Sequence, residues 1–418
     1  NWLKNMDHSA WSSVCSGCVI SQDGQEILVT HDPAFATRPE SLATKTIWYK
    51  RDDLVFGFYG DFVKQMRKIC VTELLSGKNV RSFTFIRQDE NSKLINTVRS
   101  AQGRMPVNVT KMMLAYTSSM VCRAAFGRVL QSGRFFPSLE ILPVITGLKR
   151  KWKRMHHEMD DILDDVIKQH QGNRENGKVG NAESGDEDII DVLLRLQESG
   201  NLQVPITTRN IKALLLDIFN AGTDNSSVTV QWAMSELMRQ PNLIAKARDE
   251  VRQICEAKRT IEEADMEKLK YLKMVIHETL RLHPPTPIIP RLSMENRVVS
   301  GYTIPDKTQI IVNAWAIGRD PEYWDDAENF KPERFDLKSI DYFGSQHGYF
   351  PFGLGRRMCP GITFGLANVE LPLAHLLYHF DLKLPDGMEP AEESEGLTVQ
   401  RKNNLFLIAT PYDPSSDR

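Results

Sequence analysis

One helical segment, from Thr208 to Gln240, constrains the fold of this chain more than any other feature of its sequence. Thr207 or Thr208 is a suitable N-cap, because a hydroxyl oxygen accepts a hydrogen bond from an unpaired backbone N–H of the first turn. Pro241 has no N–H with which to continue the helix, so it marks the end. A helix of about 33 residues is roughly 50 Å long, at ~1.5 Å per residue. Such a helix must cross a whole domain, and the fold is therefore predicted to be mainly α.

The rest of the chain predicts a minor β part and one exposed connection. Val298–Ile304 and Thr308–Asn313 are short segments punctuated by Gly and Pro, a pattern typical of strands and turns. Gln171–Asp188 is rich in Gly, Asn, Glu and Asp and has few apolar residues to bury. We therefore expect an exposed linker over residues 171–188.

Charge and composition exclude several classes of protein. Lys and Arg total 52 and Asp and Glu total 54, a net charge of −2, so the strong basic excess of a nucleic-acid-binding protein is absent from the sequence. The six cysteines are sparse and irregularly spaced, which predicts no disulfide framework and a reducing compartment. No run of 18 apolar residues occurs, so no membrane-spanning helix is predicted.

The segment Pro351–Gly361 places a single cysteine in a glycine-rich loop, just before an apolar helical run. Loop amides, the N-terminus of the following helix and neighbouring arginines all favour a thiolate over a thiol at Cys359. Gly353 and Gly355 allow close approach of the backbone to a flat ligand and permit positive φ. The arrangement suits a cysteine that ligates a metal from a loop tip.

This loop resembles the haem-binding signature Phe-x-x-Gly-x-Arg-x-Cys-x-Gly of the cytochrome P-450 superfamily, with matches at Phe352, Gly355, Arg357, Cys359 and Gly361. The resemblance covers nearly the whole chain and is closest to plant microsomal members. It implies one catalytic domain over residues 1–418 with the P-450 fold, in which the long helix crosses over the haem. It also implies haem b (iron protoporphyrin IX) as the cofactor and Cys359 as the metal ligand. A buried structural cysteine in a turn is the alternative interpretation.

A second motif, Glu278-Thr279-Leu280-Arg281, puts a carboxylate and a guanidinium three residues apart on one helical face. Alone, this is a common surface pair. Here it resembles the Glu-x-x-Arg motif of the superfamily, and Pro332-Glu333-Arg334-Phe335 resembles the segment that contributes a second arginine. The resemblance implies a buried structural triad of Glu278, Arg281 and Arg334 on the cysteine side of the haem.

A third motif lies midway along the long helix, where the sequence reads Ala221-Gly222-Thr223-Asp224-Asn225-Ser226. It resembles the oxygen-activation motif of the superfamily, in which an acid and an alcohol manage water and deliver protons to dioxygen. The small residues Ala221 and Gly222 would let the haem approach the helix, and Asp224 and Asn225 are the predicted catalytic positions. Asn225 stands where the family usually has threonine, and its amide has no hydroxyl proton to relay. Ser226 lies about 100° around the helix and does not replace it.

Arginines at three further positions resemble those that hold the haem propionates in the family: Arg67, Arg291 and Arg357. A guanidinium suits a carboxylate because it pairs through two parallel hydrogen bonds. The tryptophan that the family carries four residues before Arg67 is Val63 here, which removes an indole donor. Lys64 could compensate for the missing tryptophan by its charge, but it does not reproduce the geometry of the indole.

Two other departures concern the length of the chain. The join at Arg128–Arg134 is shorter than the corresponding helical segment of the family, which contributes to the roof of the distal pocket. An open pocket, or a faulty gene model or pseudogene, would each explain the shortening. The N-terminal membrane anchor of plant members is also missing, so we expect the chain to be trimmed at its start. The resemblance implies membrane association of the full-length protein at the cytosolic face of the endoplasmic reticulum.

The function implied by the resemblance is that of a monooxygenase, which inserts one oxygen atom of O2 into an apolar small molecule such as a terpenoid. Pocket contacts would come from Trp48–Phe56 and Ile218–Ala221 among others. Electrons would come from NADPH through a reductase that docks near Lys64, Lys68 and Arg356. Two alternatives remain: an isomerase or dehydratase of peroxides, which Asn225 favours, and an inactive remnant without haem.

Overall fold

In the computed structural model, helices dominate and short strands form three small sheets. The structure describes residues 18–19, 24–101, 105–129, 148–177, 187–255, 261–336, 342, 348–388, 392–394 and 398–412. The helices in chain order are α1 Asp32–Phe35, α2 Leu42–Ile47, α3 Asp61–Ile69, α4 Gly77–Ser82, α5 Thr84–Ser100, α6 Val109–Phe126, α7 Leu148–Glu175, α8 Ile189–Ser199, α9 Thr208–Arg239, α10 Pro241–Cys255, α11 Lys270–Leu282, α12 Ala314–Ile317 and α13 Ile362–His379.

The strands confirm the prediction of a minor β part. They are β1 Cys18–Val19, β2 Val107–Asn108, β3 Ile288–Leu292, β4 Arg297–Val299, β5 Tyr302–Ile304, β6 Gln309–Asn313, β7 Phe380–Lys383 and β8 Phe406–Pro411. One sheet has the order β1-β6-β3, with β1 parallel and β3 antiparallel to β6. A second has the order β2-β8-β7, and β4 pairs with β5 as a hairpin. The hairpin turns at Ser300 and Gly301, which both have positive φ.

Helix α9 is the long helix that the sequence predicts, and it forms the centre of the fold. Its capping box is complete: the Asn210 N–H donates to Thr207 Oγ1, and the Thr207 N–H donates to Asn210 Oδ1. The helix packs chiefly against α6 and α13, and most of its residues are buried. Pro241 follows the end of α9 at once but is also the first residue of α10, where its missing N–H costs nothing.

The exposed linker predicted over residues 171–188 is partly wrong. Helix α7 continues to Glu175, so residues 171–175 are helical, and Arg174 in this turn forms an ion pair with Glu198 of α8 at 2.7 Å. Asp188 is buried and caps α8 by accepting the Asp191 N–H at 3.0 Å. Residues 178–186, and residues 130–134 of the predicted short join, lie outside the described part of the chain. Among the described residues, no helix is both long and apolar enough to cross a membrane.

Candidate active site

The cysteine loop is held by its own backbone. A single 3₁₀ turn, Gly355–Arg357, leads to Cys359, whose N–H donates to the Phe352 carbonyl oxygen at 2.9 Å. The Gly361 N–H points at Cys359 Sγ, 3.4 Å away, and α13 begins one residue later. Gly355 has φ +68°, and a Cβ there would collide with the Leu28 carbonyl oxygen, so only glycine fits.

The thiol of Cys359 is less acidic than the sequence argument expects. Burial raises its pKa, while the Gly361 N–H and the Arg67 guanidinium oppose that rise. The loop amide and the arginine are therefore present, but they do not outweigh desolvation. A bound metal ion deprotonates a coordinating thiol outright, so the chemistry of this sulfur fits a metal ligand.

Four arginines gather beside the cysteine loop, and one of them, Arg38, was not found from the sequence. Burial and the neighbouring positive charges lower the pKa of Arg291 well below its usual value. The Nε and Nη2 atoms of Arg291 and the Nε atom of Arg38 are buried without a hydrogen-bond partner among the described residues. Arg67 donates to the Met358 carbonyl oxygen. Buried donors and mutual repulsion require an anion, and the two carboxylates of a haem meet that requirement.

Arg357, the fourth member, is held by backbone carbonyl groups, and its contact with a propionate stays a prediction. Its Nε and Nη1 atoms donate to the carbonyl oxygens of Ala36 and Leu54, each at 2.8 Å, and Nη2 donates to Gly57. The side chain thus ties the cysteine loop to two other segments, and each Nη atom keeps a second N–H.

The absent tryptophan leaves a tightly packed site. Val63 is buried, and its Cγ2 atom would lie 3.0 Å from a Cβ at Gly57. The neighbouring Lys64 points outward, with 51% of its side chain exposed and an ion pair to Asp61 at 3.1 Å. Lys64 therefore does not join the arginine cluster.

The structure brings Glu278, Arg281 and Arg334 together. Glu278 Oε2 accepts from Arg281 Nε at 2.6 Å, and Oε1 accepts from Arg334 Nε at 2.9 Å. The side chains of Glu278 and Arg281 are fully buried. Arg281 also donates to the carbonyl oxygen of Ala327 at 2.7 Å, so its charge is surrounded by acceptors. This geometry makes the triad a structural joint between α11 and the segment that carries Arg334.

The residues of the motif on α9 lie on two faces of the helix, one packed against neighbouring helices and one partly exposed. A Cβ at Gly222 would lie 2.9 Å from Val121 of α6, so this glycine serves the close approach of the two helices. Ala221 is exposed, and Asp224 is half-buried, with its pKa raised by burial. Asn225 is also half-buried, whereas Ser226 is buried toward Gly365 of α13. Asp224 and Asn225 are therefore partly accessible, whereas the Ser226 hydroxyl lies on the side that packs against α13.

Comparison with known proteins decides the family. The family model described as "Cytochrome P450" matches residues 18–135 and 128–408. The chain belongs to the cytochrome P450 family. It is a P450 monooxygenase, a haem-thiolate oxidoreductase that acts on a small molecule and O2.

Two plant enzymes are close relatives of this P450. Premnaspirodiene oxygenase of Hyoscyamus muticus is 52% identical over 436 positions, covering 98% of this chain and 86% of its own. The 5-epiaristolochene 1,3-dihydroxylase of Nicotiana tabacum is 48% identical, with the same coverage. Among solved structures, a zebra fish cytochrome P450 with progesterone has a TM-score of 0.81 at 22% identity, over 94% of this chain and 92% of the other, and shows the same fold.

The family match is interrupted at the region where the sequence predicts a shortened join. Its two segments overlap at residues 128–135. The alignment with the Hyoscyamus enzyme has 436 positions, more than the 418 residues of this P450, so that relative has residues without a counterpart here. The shortening at 128–134 stays a prediction.

Sequence reasoning missed Arg38 for a physical reason. Arg38 reaches the site because Thr37 forms a β-bridge with Leu292, the neighbour of Arg291, with the Leu292 N–H donating to Thr37 O at 2.8 Å. No local pattern around residue 38 encodes a pairing with a segment so distant in the chain.

Proposed function

We propose that this P450 inserts one oxygen atom of O2 into an apolar terpenoid, with electrons from NADPH delivered by a reductase. The observation that carries the proposal is the similarity over 98% of the chain to two enzymes named for the oxidation of premnaspirodiene and 5-epiaristolochene. Both names denote unsaturated hydrocarbons. An apolar substrate needs an apolar, largely preformed pocket with few polar groups.

The residues that would hold haem b are the cysteine and the arginines gathered beside its loop. Cys359 would supply the thiolate ligand, and Arg38, Arg67 and Arg291 would pair with the propionates. When bound, the haem supplies the activation of O2, and its thiolate ligand favours O–O cleavage. The remaining chemistry belongs to the protein, which orients the substrate, excludes water and moves protons.

Proton handling would fall to Asp224 and Asn225. Burial raises the pKa of Asp224, so its carboxyl retains a proton to a higher pH than a solvated aspartate does. Asn225 can hold an ordered water through its amide, since that group both donates and accepts. The apolar wall of the substrate pocket would include Phe56 and Ile218 of α9. The rings of Phe56 and Trp48 pack edge to face, with their centroids 5.0 Å apart.

The reductase would dock on the cysteine side. Lys64 and Lys68 are exposed one turn apart on α3, and 49% of the Arg356 side chain is exposed in the cysteine loop. These cations would steer an acidic partner toward the face nearest Cys359. Attachment to the cytosolic face of the endoplasmic reticulum belongs to the same proposal and rests on family resemblance.

The test is oxidation of premnaspirodiene and 5-epiaristolochene by the haem-loaded chain with a plant reductase, NADPH and ¹⁸O2. We expect products that carry one ¹⁸O atom per hydroxylation by mass spectrometry. Cys359→Ser is the control, because a serine oxygen is a poor soft donor. It should lose both product formation and the red-shifted CO spectrum of thiolate-ligated haem. A normal thiolate spectrum without any oxidation of either hydrocarbon would contradict the substrate class.

Asn225 favours a second candidate, the isomerisation or dehydration of organic peroxides, which needs no proton relay from an alcohol. This reaction requires neither NADPH nor a reductase. Turnover of a fatty-acid hydroperoxide without either component, together with no oxidation of the hydrocarbons, would favour this candidate over the monooxygenase.

A further inference from the structure

Two buried carboxyl groups bind the backbone of the loop 53–57, one from within the loop and one from α9. Asp53 and Asp217 are 1% and 4% exposed. Asp217 Oδ2 accepts the N–H groups of Leu54 at 2.8 Å and Val55 at 3.2 Å. Asp53 Oδ1 accepts the N–H of Phe56 within the loop. One oxygen of each carboxyl is thus fixed by the backbone of the same short loop.

The other oxygen of each carboxyl is buried within the described part of the chain without a hydrogen-bond donor. Asp53 Oδ2 and Asp217 Oδ1 are buried without a hydrogen bond among the described residues. Burial and the charge of Asp53 raise the pKa of Asp217 well above its usual value, and burial raises that of Asp53 to about 6. Arg38 attracts both groups, and Arg357 attracts Asp53. Two ionised carboxylates at this place would leave two unsatisfied acceptors and a repulsion between them.

We propose that Asp53 and Asp217 share one proton between their free oxygens and act as a positioning pair that holds the loop 53–57 against α9. One proton turns two unsatisfied acceptors into one hydrogen bond and removes one negative charge. The pair links residues separated by 164 positions in the chain, so it fixes a contact that no local element provides.

The position of this loop bears on the pocket. Asp217 lies seven residues before Asp224, two turns away on the same face of α9. On its other side the loop is tied to the cysteine loop, because Arg357 donates to the carbonyl oxygens of Leu54 and Gly57. The pair therefore sets the distance between the wall that carries Phe56 and the face that carries Asp224. This part rests on the proposed function, since it assigns the wall to a substrate pocket.

Amide substitutions test the shared proton. In Asp217→Asn, the amide oxygen still accepts from Leu54 and Val55, and the NH2 group donates to Asp53 in place of the proton. Asp53→Asn is the mirror case. In the double variant, both oxygens stay with the backbone and the two NH2 groups face each other without an acceptor. The double variant should therefore lose more in Tm, relative to the parent, than the two single variants lose together. The effects of the two substitutions would then be non-additive.

The positioning role needs a readout that loss of stability alone does not move. We would titrate haem-loaded variants with 4-phenylimidazole, an azole that ligates haem and extends its ring into the distal pocket. The single variants should bind within about twofold of the parent, and the double variant about tenfold more weakly. Asp249→Asn, on the exposed side of α10 with 69% of its side chain accessible, is the matched control and should change neither property.

The outcomes separate the two proposals. Additive changes in Tm, or a double variant more stable than the parent, would show that no proton is shared. A non-additive cycle with unchanged azole affinity in the double variant would refute the positioning role. Both readouts work without oxidation of a hydrocarbon, so they stand even if the proposed substrate class fails. Where the parent does oxidise a terpenoid, the double variant should also shift the ratio of its regioisomeric products.

Discussion

Replacing Glu278 by alanine should cost this P450 much of its stability, because both arginines of the triad bind this one carboxylate. It accepts from Arg281 Nε and Nη2 at 2.6 and 2.8 Å, from Arg334 Nε at 2.9 Å and from the Lys331 N–H at 2.7 Å. Removing it leaves the guanidinium of Arg281, whose side chain is 0% exposed, without a counter-charge.

Breaking one side of a buried ion pair costs about 3–5 kcal/mol. An unfolding entropy of ~2.1 cal/mol/K per residue means that ~1 kcal/mol moves the Tm of a chain this long by about 1 °C. Glu278→Ala should therefore lower the Tm of the haem-loaded protein by roughly 3–6 °C. Haem content should fall as well, because the triad joins α11 to the segment that precedes the cysteine loop.

Glu392→Ala provides the control. Glu392 pairs with Lys402 at 2.8 Å, but 73% and 63% of the two side chains are exposed. An exposed pair contributes about 0–1 kcal/mol, so the Tm should change by about 1 °C at most. Tm by differential scanning calorimetry and haem content by absorbance would be measured on both variants. Equal values for Glu278→Ala and Glu392→Ala would refute the argument that burial makes the triad essential.

Three further changes should have measurable effects. Asn225→Thr restores an alcohol on α9 and should raise the ratio of product formed to NADPH consumed, with less H2O2 released and little change in substrate affinity; equal ratios would mean that water and the acid suffice. Arg38→Ala removes a buried donor and should speed haem loss to apomyoglobin, whereas the exposed Arg297→Ala should not. Burial raises the pKa of Asp188 to about 7. The Nε2 atom of His170 lies 3.6 Å from Asp188 Oδ2, and the pKa of this histidine is raised as well. Both groups bind protons more tightly in the folded than in the unfolded state, so the stability they contribute is present at low pH and is lost as the pH rises through about 7. The Tm should therefore fall between pH 5 and 8, and it should fall less in Asp188→Asn.

Local patterns predicted the parts of this P450 that local physics determines. Helix α9 and its Thr207 cap follow from an uninterrupted helical segment with a hydroxyl at one end and proline at the other. The turn at Gly355 follows from a conformation that favours glycine. The linker at 171–188 was partly wrong because composition does not reveal that α7 extends to Glu175. These polar residues extend a helix that is already packed at Val166 and Ile167, and the ion pair of Arg174 with Glu198 ties the last turn to α8.

Contacts between distant segments could not be predicted from patterns. The sequence marks Arg357 as a haem contact by resemblance, and it does not reveal that this side chain also donates to carbonyl groups of two segments some 300 residues earlier. Arg38, Asp53 and Asp217 carry no motif at all. Their environment arises only when the β-bridge at Thr37 and the loop on α9 form, and the unpartnered atoms that identify them exist only in the folded chain.

The loop 53–57 connects the two sides of the active site, and this has consequences for how its residues act together. Arg357 holds the loop from the cysteine side, and Asp217 holds it from α9. A shift of the cysteine loop is therefore transmitted to the pocket wall through backbone hydrogen bonds at both ends of Leu54, its carbonyl oxygen on one side and its N–H on the other. Substitutions at Arg357 and Asp217 should not be additive, since each removes one of the two supports of the same short segment. Independent effects would mean that the loop is held chiefly by its own turn, in which Asp53 accepts the Phe56 N–H.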